Sequence, residues 1–155
     1  MVGGAKMPNK TNGGFYISKI KQIQSRIFEK LLSEHGIDEF NGAQGRILFV
    51  LWDSDDISIK ELSEKTGLAK QTLTSMLDRL EARGHIQRVA APNDRRSVKI
   101  RLTEKAKLLQ KKYDDVSEEM NRIFYEGFTD SEIQHFENSL GKVLENLTEK
   151  EHEYE

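Results

Sequence analysis

The fold of this chain is decided by residues 70–103, which read KQTLTSMLDRLEARGHIQRVAAPNDRRSVKIRLT. Apolar residues recur there at helical spacing, which predicts a helix over residues 70–83 with a buried stripe formed by Leu68, Leu73, Met76, Leu77 and Leu80. Gly84 follows this helix and suits the left-handed conformation that ends many helices. The segment therefore begins with a helix that turns a polar side to solvent.

Two strands and a turn are predicted to follow the helix. Residues 85–89 form a short extended run, and residues 97–102 alternate polar and apolar side chains. Between them, residues 90–96 contain Pro92 and a basic turn. A helix followed by such a strand pair predicts the small β wing of a winged helix.

A shorter helix is predicted just before the longer one. Ser58 and Glu61 have capping-box spacing, and an apolar face continues across a turn at Gly67. Helix, glycine turn and helix are typical of the helix-turn-helix motif. Residues 57–59 are expected to add a minor third strand to the wing.

The exposed face of the longer helix is short and polar. A step of about 100° per residue from the buried stripe places on this face or its flanks Gln71, Thr72, Thr74, Ser75, Asp78, Arg79 and Ala82. Amides, hydroxyls and the Lys70 ammonium are groups that hydrogen-bond to base edges in a major groove, and helix N-termini favour phosphate. The alternative is an ordinary solvated face, because Thr and Gln are common surface residues.

Together these motifs resemble the MarR family of bacterial transcriptional regulators. The resemblance is carried by the helix-turn-helix, by residues 78–84 (DRLEARG), by residues 92–96 (PNDRR) and by Leu102-Thr103. It implies a mainly α fold with a small β wing, in which a winged helix-turn-helix is flanked by N- and C-terminal dimerisation helices. It also implies an obligate homodimer on double-stranded DNA, with the recognition helix in the major groove and the wing in the adjacent minor groove.

The resemblance further implies which residues contact DNA. The wing arginine is Arg96, with Arg95 beside it and Asp94 orienting the turn. The family contacts bases or nearby phosphates at the positions of Lys70, Gln71, Thr72, Thr74 and Ser75, and Arg79 flanks the same face. The chain departs from the family at Ala69, where related proteins often carry a capping side chain. Without a capping side chain, the free backbone amides at the start of this helix depend on DNA phosphate or water for their hydrogen bonds.

Charge is distributed unevenly along the chain. The formal net charge is only -2, yet residues 60–107 hold twelve Lys and Arg against six Asp and Glu. The positive excess thus falls on the segment already identified by its turn and helix pattern. A basic surface on a chain that is acidic elsewhere favours a nucleic-acid partner, with a merely solvated charged face as the alternative.

Helices are predicted on both sides of the winged helix, within a single domain over residues 15–150. Residues 1–14, with four glycines and Pro8, are expected to be a flexible lead, with Met1 to Lys6 preceding a natural start at Met7. The expected parts are dimerisation helices over residues 15–36 and 104–150 and a winged helix-turn-helix over residues 41–103.

The flanking helices carry apolar stripes that need covering. Asn41 is predicted to cap a second helix. Thr103 is predicted to cap one long helix, and Thr129 is predicted to cap a final helix. The stripe of the long helix comprises Leu108 or Leu109, Val116, Met120, Ile123 and Phe124, and that of the final helix Ile133, Phe136, Leu140, Val143, Leu144 and Leu147. Pairing the first and last helices across a two-fold axis predicts a homodimer, and a monomeric bundle is the alternative.

Other classes of site find little support in the sequence. There is no cysteine, which excludes a thiol switch, and the scattered His35, His85, His135 and His152 favour surface or cap positions over metal ligation. No Ser-His-Asp grouping and no phosphate-cradling glycine loop stands out, so neither an enzyme nor a cofactor is expected. No apolar run approaches the ~18 residues of a membrane helix, and a cytoplasmic location is predicted.

The effector of such a regulator stays open. The resemblance implies a small-molecule pocket between the dimerisation helices and the winged helix, with aromatic or phenolic effectors as the default. Phe15, Tyr16, Phe49 and Trp52 are candidates, but core packing is their commoner role, so no effector-binding residue is assigned. The predicted function is a ligand-responsive, homodimeric repressor on an inverted-repeat operator, and the alternative is a winged-helix protein-interaction module without DNA binding.

Overall fold

The computed structural model describes residues 10–155, apart from the side chains of Ala91, Arg95 and Arg96. Its elements are α1 Gly13–Glu34, α2 Gly42–Asp53, β1 Ile57–Ser58, α3 Ile59–Thr66, α4 Lys70–Ala82, β2 Ile86–Ala91, β3 Asp94–Leu102, α5 Glu104–Leu108, α6 Gln110–Phe124 and α7 Asp130–Glu153. The predicted fold class, mainly α with a small β wing, is confirmed. The chain is divided into two compact units, of which the first extends to Glu118 and the second from Glu119 to Glu155.

The start of α1 differs from the prediction. The flexible lead was expected to extend through residue 14, whereas α1 begins at Gly13. The backbone of Asn12 already accepts a hydrogen bond from the Tyr16 amide at 2.8 Å, which closes the first turn. Residues 1–9 of the predicted lead lie outside the described residues.

The core of the first unit joins the two helices of the helix-turn-helix to α2 and the sheet. Its fully buried side chains include Leu32, Ile47, Leu48, Leu51, Leu62, Leu73, Leu77, Leu80, Ile86 and Ile100. The predicted stripe is therefore confirmed at Leu73, Leu77 and Leu80, whereas Leu68 and Met76 are half-buried. Burial of this apolar surface is the main force that holds α4 in one orientation.

Local capping explains where the helices of the first unit begin and end. Asn41 caps α2 in a reciprocal capping box with Gln44, and Ser58 Oγ accepts the Glu61 amide at the start of α3. Gly67 ends α3 with φ +74°, and Gly84 follows α4 with φ +80°. Both glycines occupy the left-handed region, where a side chain would be strained.

The wing is a three-stranded antiparallel sheet of order β1-β3-β2. The turn was predicted over residues 90–96, but the strands continue to Ala91 and from Asp94, so the connection is only Pro92-Asn93. Backbone pairing of Ala91 with Asp94, beyond a register shift after Ala90, is what shortens the turn. The third strand predicted over residues 57–59 is confirmed as β1, which pairs Ile57 with Ile100, except that Ile59 already begins α3.

The long helix predicted after Thr103 is interrupted. Thr103 caps the short α5 as expected, with its Oγ1 accepting the Ala106 amide, but α6 starts anew at Gln110. The Leu109 amide bonds to the Ala106 carbonyl, a three-residue step that tightens the chain. Of the two alternatives for the stripe, Leu108 is 81% exposed, whereas Leu109 is half-buried. Tyr113, which was not predicted, is buried among Phe28, Phe40, Phe49 and Trp52.

His85 also departs from its predicted surface or cap position, because its side chain is fully buried. It stands between Gly84 and β2, where its backbone carbonyl accepts the Thr103 amide at 3.0 Å. Its ring packs edge-on against Phe40, with centroids 5.7 Å apart. His35, in contrast, is the C-cap of α1, which agrees with the predicted surface or cap position.

The second unit contains the end of α6 and the whole of α7. Thr129 and Glu132 form the predicted capping box at the start of α7. Phe124, Tyr125, Phe128 and Phe136 pack against one another at the junction of the two helices. Leu144 and Leu147 of the predicted stripe are 67% and 64% exposed.

Candidate nucleic-acid interface

The N-terminal half of α4 presents a continuous polar face. The side chains of Lys70, Gln71, Thr72, Thr74 and Ser75 are all exposed, while Leu73 between them is fully buried. Because Leu73, Leu77 and Leu80 anchor the opposite side, these polar groups are held on a rigid helix. Rigid placement of amides, hydroxyls and an ammonium suits hydrogen bonding to base edges.

The start of α4 has no side-chain cap. Ala69 occupies the N-cap with φ -63° and ψ 147°, an extended geometry that a capping residue would also adopt. The first-turn amides of α4 therefore lack the partner that Ser, Thr, Asp or Asn would supply. Together with Lys70 they provide donors of the kind that bind phosphate.

Thr74 uses part of its hydrogen-bonding capacity inside the helix. Its hydroxyl donates to the Lys70 carbonyl at 2.8 Å. The oxygen lone pairs and the methyl group are what this side chain has left for a partner. Thr74 is therefore equipped to accept from a base amino group or to contact a thymine methyl.

The turn between α3 and α4 is braced by its own side chains. Ser63 Oγ donates to the Leu68 carbonyl at 2.7 Å, and the Leu68 amide donates to Thr66 Oγ1 at 3.3 Å. These two bonds satisfy the carbonyl and the amide of Leu68, directly after Gly67. The angle between α3 and α4 is thus fixed by local hydrogen bonds as well as by the core.

Arg79 lies apart from the N-terminal face of α4. It is exposed and, with Arg83, lines a cavity of about 640 Å³ whose wall includes Leu32, Phe40 and Gln44. Arg83 donates through Nη1 to the Glu39 carbonyl at 2.9 Å, and Lys105 Nζ donates to the Arg83 carbonyl at 3.0 Å. The C-terminal end of α4 is thereby tied to α5 and to the segment that precedes α2.

The wing residues named from the sequence are only partly described. Asp94 is exposed and begins β3 opposite Ala91. The side chains of Arg95 and Arg96 lie outside the described residues, so the predicted minor-groove contact stays a prediction.

Two aspartates that the sequence did not single out hold the base of the wing. Asp55 Oδ1 accepts the Leu102 amide at 2.9 Å, and Asp56 Oδ1 accepts Arg101 Nε at 2.7 Å. The hydrogen bond from Arg101 lowers the pKa of Asp56. Asp56 itself has φ +58°, a left-handed conformation that Asp tolerates better than most residues.

A second ion-pair cluster links the wing to α4. Arg88 of β2 donates through Nη2 to Asp78 Oδ1 at 2.6 Å and to Glu81 Oε1 at 2.8 Å. The bonds from Arg88 lower the pKa of Glu81, and the two carboxylates raise the pKa of Arg88. No periodic signal marks this cluster, because its members belong to a helix and a strand on either side of a turn.

A group of aromatic side chains borders a second cavity. Trp52 Nε1 donates to the Ala106 carbonyl at 3.1 Å, and the Trp52 ring lies 5.1 Å from that of Tyr113. Burial raises the pKa of Tyr113 to about 12. Phe49 and Trp52 line a cavity of about 460 Å³ together with Val50, Asp53, Lys65, Gln110 and Asp114. Of the four aromatic candidates, these two share a concave surface.

Residues 10–155 contain neither a group of metal ligands nor a membrane-spanning helix. No three His, Cys, Asp or Glu side chains in that range are grouped so as to hold a metal ion. None of the described helices combines the length and the apolar character needed to cross a membrane.

Comparisons with known proteins find transcriptional regulators that are similar to this chain. The model of the MarR family matches residues 40–98, which extend from α2 into β3. The transcriptional regulator YsmB of Bacillus subtilis is 36% identical over 100 residues, covering 64% of this chain and 68% of that protein. The regulator TtmR of Methylorubrum extorquens is 39% identical over 89 residues, covering 57% of this chain but only 44% of that protein.

A solved structure extends the likeness beyond the winged helix. A mutant MarR from E. coli complexed with operator DNA is 28% identical to this chain, with a TM-score of 0.76. The alignment covers 84% of this chain and 92% of that protein. The flanking helices as well as the winged helix therefore have counterparts in a DNA-bound regulator.

Proposed function

We propose, from the premise that the chain belongs to the MarR family of DNA-binding transcriptional regulators, that it is a homodimeric, ligand-responsive repressor which binds an inverted-repeat operator in the cytoplasm. The family consists of regulators rather than enzymes. The observation that carries the proposal is the rigid polar face of α4, with Lys70, Gln71 and Thr74 exposed above buried leucines. We assign base reading to this face and phosphate binding to the uncapped start of α4.

The homodimer is supported by apolar side chains that each unit leaves exposed. In α1 these are Phe15, Ile17, Ile20 and Ile23, and in α7 they are Val143, Leu144 and Leu147. Pairing with a second copy across a two-fold axis would bury the apolar stripe that each unit leaves exposed. Sedimentation at micromolar concentration should give the mass of two chains, and a single-chain mass would contradict this part of the proposal.

Dimerisation determines the symmetry of the operator. Two recognition helices related by a two-fold axis meet half-sites about 34 Å apart, so each operator should be an inverted repeat. Phosphate contacts should dominate affinity, so binding should fall steeply as salt rises. Where such an operator overlaps a promoter, occupancy would block transcription.

The experiment is a selection of bound fragments from random and genomic DNA at two salt concentrations. The parent protein should recover an inverted repeat, and a variant with Arg95→Ala and Arg96→Ala should bind it more weakly. Binding without any motif, unchanged in that variant, would refute operator recognition and favour a winged-helix protein-interaction module. Transcription from a reporter carrying the selected operator, with and without the protein, tests repression.

A phenolic effector is supported by the cavity beside the aromatic cluster. Phe49, which is 53% exposed, and Trp52 offer ring surfaces, while Asp53 and Asp114 offer acceptors for a phenol hydroxyl. Trp52 is the only tryptophan of the chain, so its fluorescence reports binding directly. Phenols should quench this fluorescence and release the operator, and Phe49→Ala should weaken both effects. Operator release without any change at Trp52 would place the effector elsewhere.

A further inference from the structure

We infer that Arg88 is a positioning residue for DNA recognition, one that locks the wing to the recognition helix and neutralises that helix's own carboxylates. The inference rests on the proposed operator binding and assigns a role to a residue outside the reading face. Arg88 belongs to β2, whereas its partners Asp78 and Glu81 belong to α4. The cluster therefore joins the two elements that are to enter DNA.

The contacts involve both the side chain and the backbone of Arg88. Its Nη2 donates to Asp78 Oδ1 at 2.6 Å and to Glu81 Oε1 at 2.8 Å, and its Nε donates to Glu81 Oε1 at 3.3 Å. Its backbone amide donates to Glu81 Oε2 at 3.1 Å. The Glu81 carboxylate is thus held by two different parts of one strand residue, which restricts rotation as well as separation.

The position of Arg88 within the wing makes this restraint consequential. Ile100, its register partner on β3, is fully buried, and the strands beyond this pair project to Pro92-Asn93. Four strand residues span about 13 Å, so a tilt of roughly 10° at Arg88 displaces the turn by about 2 Å. A displacement of that size breaks a hydrogen bond to a groove. The angle between β2 and α4 must therefore be held closely if helix and wing are to bind together.

Charge supplies the second part of the argument. Asp78 lies seven residues after Gln71 and three after Ser75, so it follows the same exposed face of α4. An uncompensated carboxylate there would repel the phosphate backbone. The guanidinium of Arg88, 27% exposed, faces Asp78 and Glu81 at once. A lysine would offer a single point charge in place of this planar fork.

Exposed ion pairs contribute little to the free energy of unfolding, so we expect substitution of Arg88 to change DNA affinity rather than stability. The experiment measures Kd for the selected operator and for a mixed-sequence duplex of equal length, in the parent, Arg88→Gln, Arg88→Lys and Asp78→Asn/Glu81→Gln. Each variant is also made with Arg95→Ala and Arg96→Ala. Lys150→Gln, which removes an exposed ion pair to Glu153 in α7, is the matched control.

Arg88→Gln should weaken operator binding by about tenfold or more and mixed-sequence binding much less. In the background lacking both wing arginines its effect should shrink to about twofold, because the wing then has no contact left to position. The double carboxamide variant removes the same clamp without altering Arg88, so it should show the same loss of operator preference even if Arg88→Gln folds poorly. Arg88→Lys should fall between the parent and Arg88→Gln.

Two outcomes would overturn the inference. Equal losses on both duplexes, additive with the wing substitutions, would make Arg88 one more phosphate-binding cation. An undiminished operator preference in the double carboxamide variant would show that the clamp does not position the wing. Failure of the proposed function is distinguishable, because the parent protein itself would then lack a preferred operator.

Discussion

The imidazole of His85 and the carboxylate of Glu39 face each other, with Nε2 and Oε2 3.7 Å apart. Within residues 10–155, neither nitrogen of the His85 ring has a hydrogen-bond partner, and Glu39 Oε2 has none either. Arg83, Lys105 and Phe40 surround the pair. A fully buried imidazole with one carboxylate beside it therefore lies between α4 and β2.

The stability of the protein should therefore depend on pH through His85. Burial is the main cause that lowers the pKa of His85 below its usual 6.5, Lys105 and Arg83 lower it further, and Glu39 opposes the shift. The unfolded chain then binds more protons than the folded chain below about pH 6.5, so the free energy of unfolding falls as pH falls. The contribution of one group is at most about 1.4 kcal/mol per pH unit.

Urea unfolding between pH 5.5 and 8 measures this dependence. His85→Leu should flatten the curve relative to the parent, whereas His152→Gln, at an exposed position of α7, should leave its slope unchanged. Parallel curves for the parent and His85→Leu would show that His85 is not the titrating group.

Ala69→Ser should stabilise the protein by supplying the missing cap of α4. The backbone of Ala69 already has N-cap geometry, so the gain should be about 0.5–2 kcal/mol in the free energy of unfolding. Ala69→Asp should stabilise similarly but weaken operator binding at low salt, because its carboxylate would meet DNA phosphate. Ala82→Ser, in the last turn of the same helix, should bring no gain. If Ala69→Asp bound DNA as well as Ala69→Ser, the start of α4 would not contact phosphate.

Thr74 should read its base pair through its oxygen. Thr74→Ser keeps the hydroxyl and its bond to the Lys70 carbonyl, and Thr74→Val keeps the methyl group but has no acceptor. Thr74→Val should lose about 1–3 kcal/mol of discrimination at one base pair, measured by competition between operators changed at single positions. Thr74→Ser should retain it. The reverse ranking would indicate a methyl contact with thymine.

Gly45→Ala should destabilise the first unit. A Cβ at Gly45 would lie 2.7 Å from Tyr113 Cε2, closer than carbon atoms pack, and in tight contact with Phe40 Cε2 at 3.2 Å. We expect a loss of about 1–3 kcal/mol from overpacking, reduced by roughly 0.5–1 kcal/mol of helix propensity. Gly141→Ala, with nothing within 4 Å, should show only the favourable propensity. Equal thermal stability of the two variants would mean that the Tyr113 ring yields freely.

The amino-acid sequence by itself determined the local structure of this protein. Helical spacing in α4, the caps at Asn41, Ser58 and Thr129 and the glycine after α4 were all confirmed, because each depends on residues within about one helical turn. The resemblance carried by the wing residues likewise led to the right family. Charge counted along the chain located the basic segment without reference to its shape.

Tertiary structure decided the contacts that join these elements. Arg88 meets Glu81, His85 meets Glu39, and Tyr113 is buried among rings from α1 and α2, and none of these pairs follows a helical or strand period. They depend on the angles at which α4, β2 and α6 pack, which are set by burial of the common leucine core. Spacing rules describe one element at a time, so a clamp between a helix and a strand becomes visible only once both are placed in space.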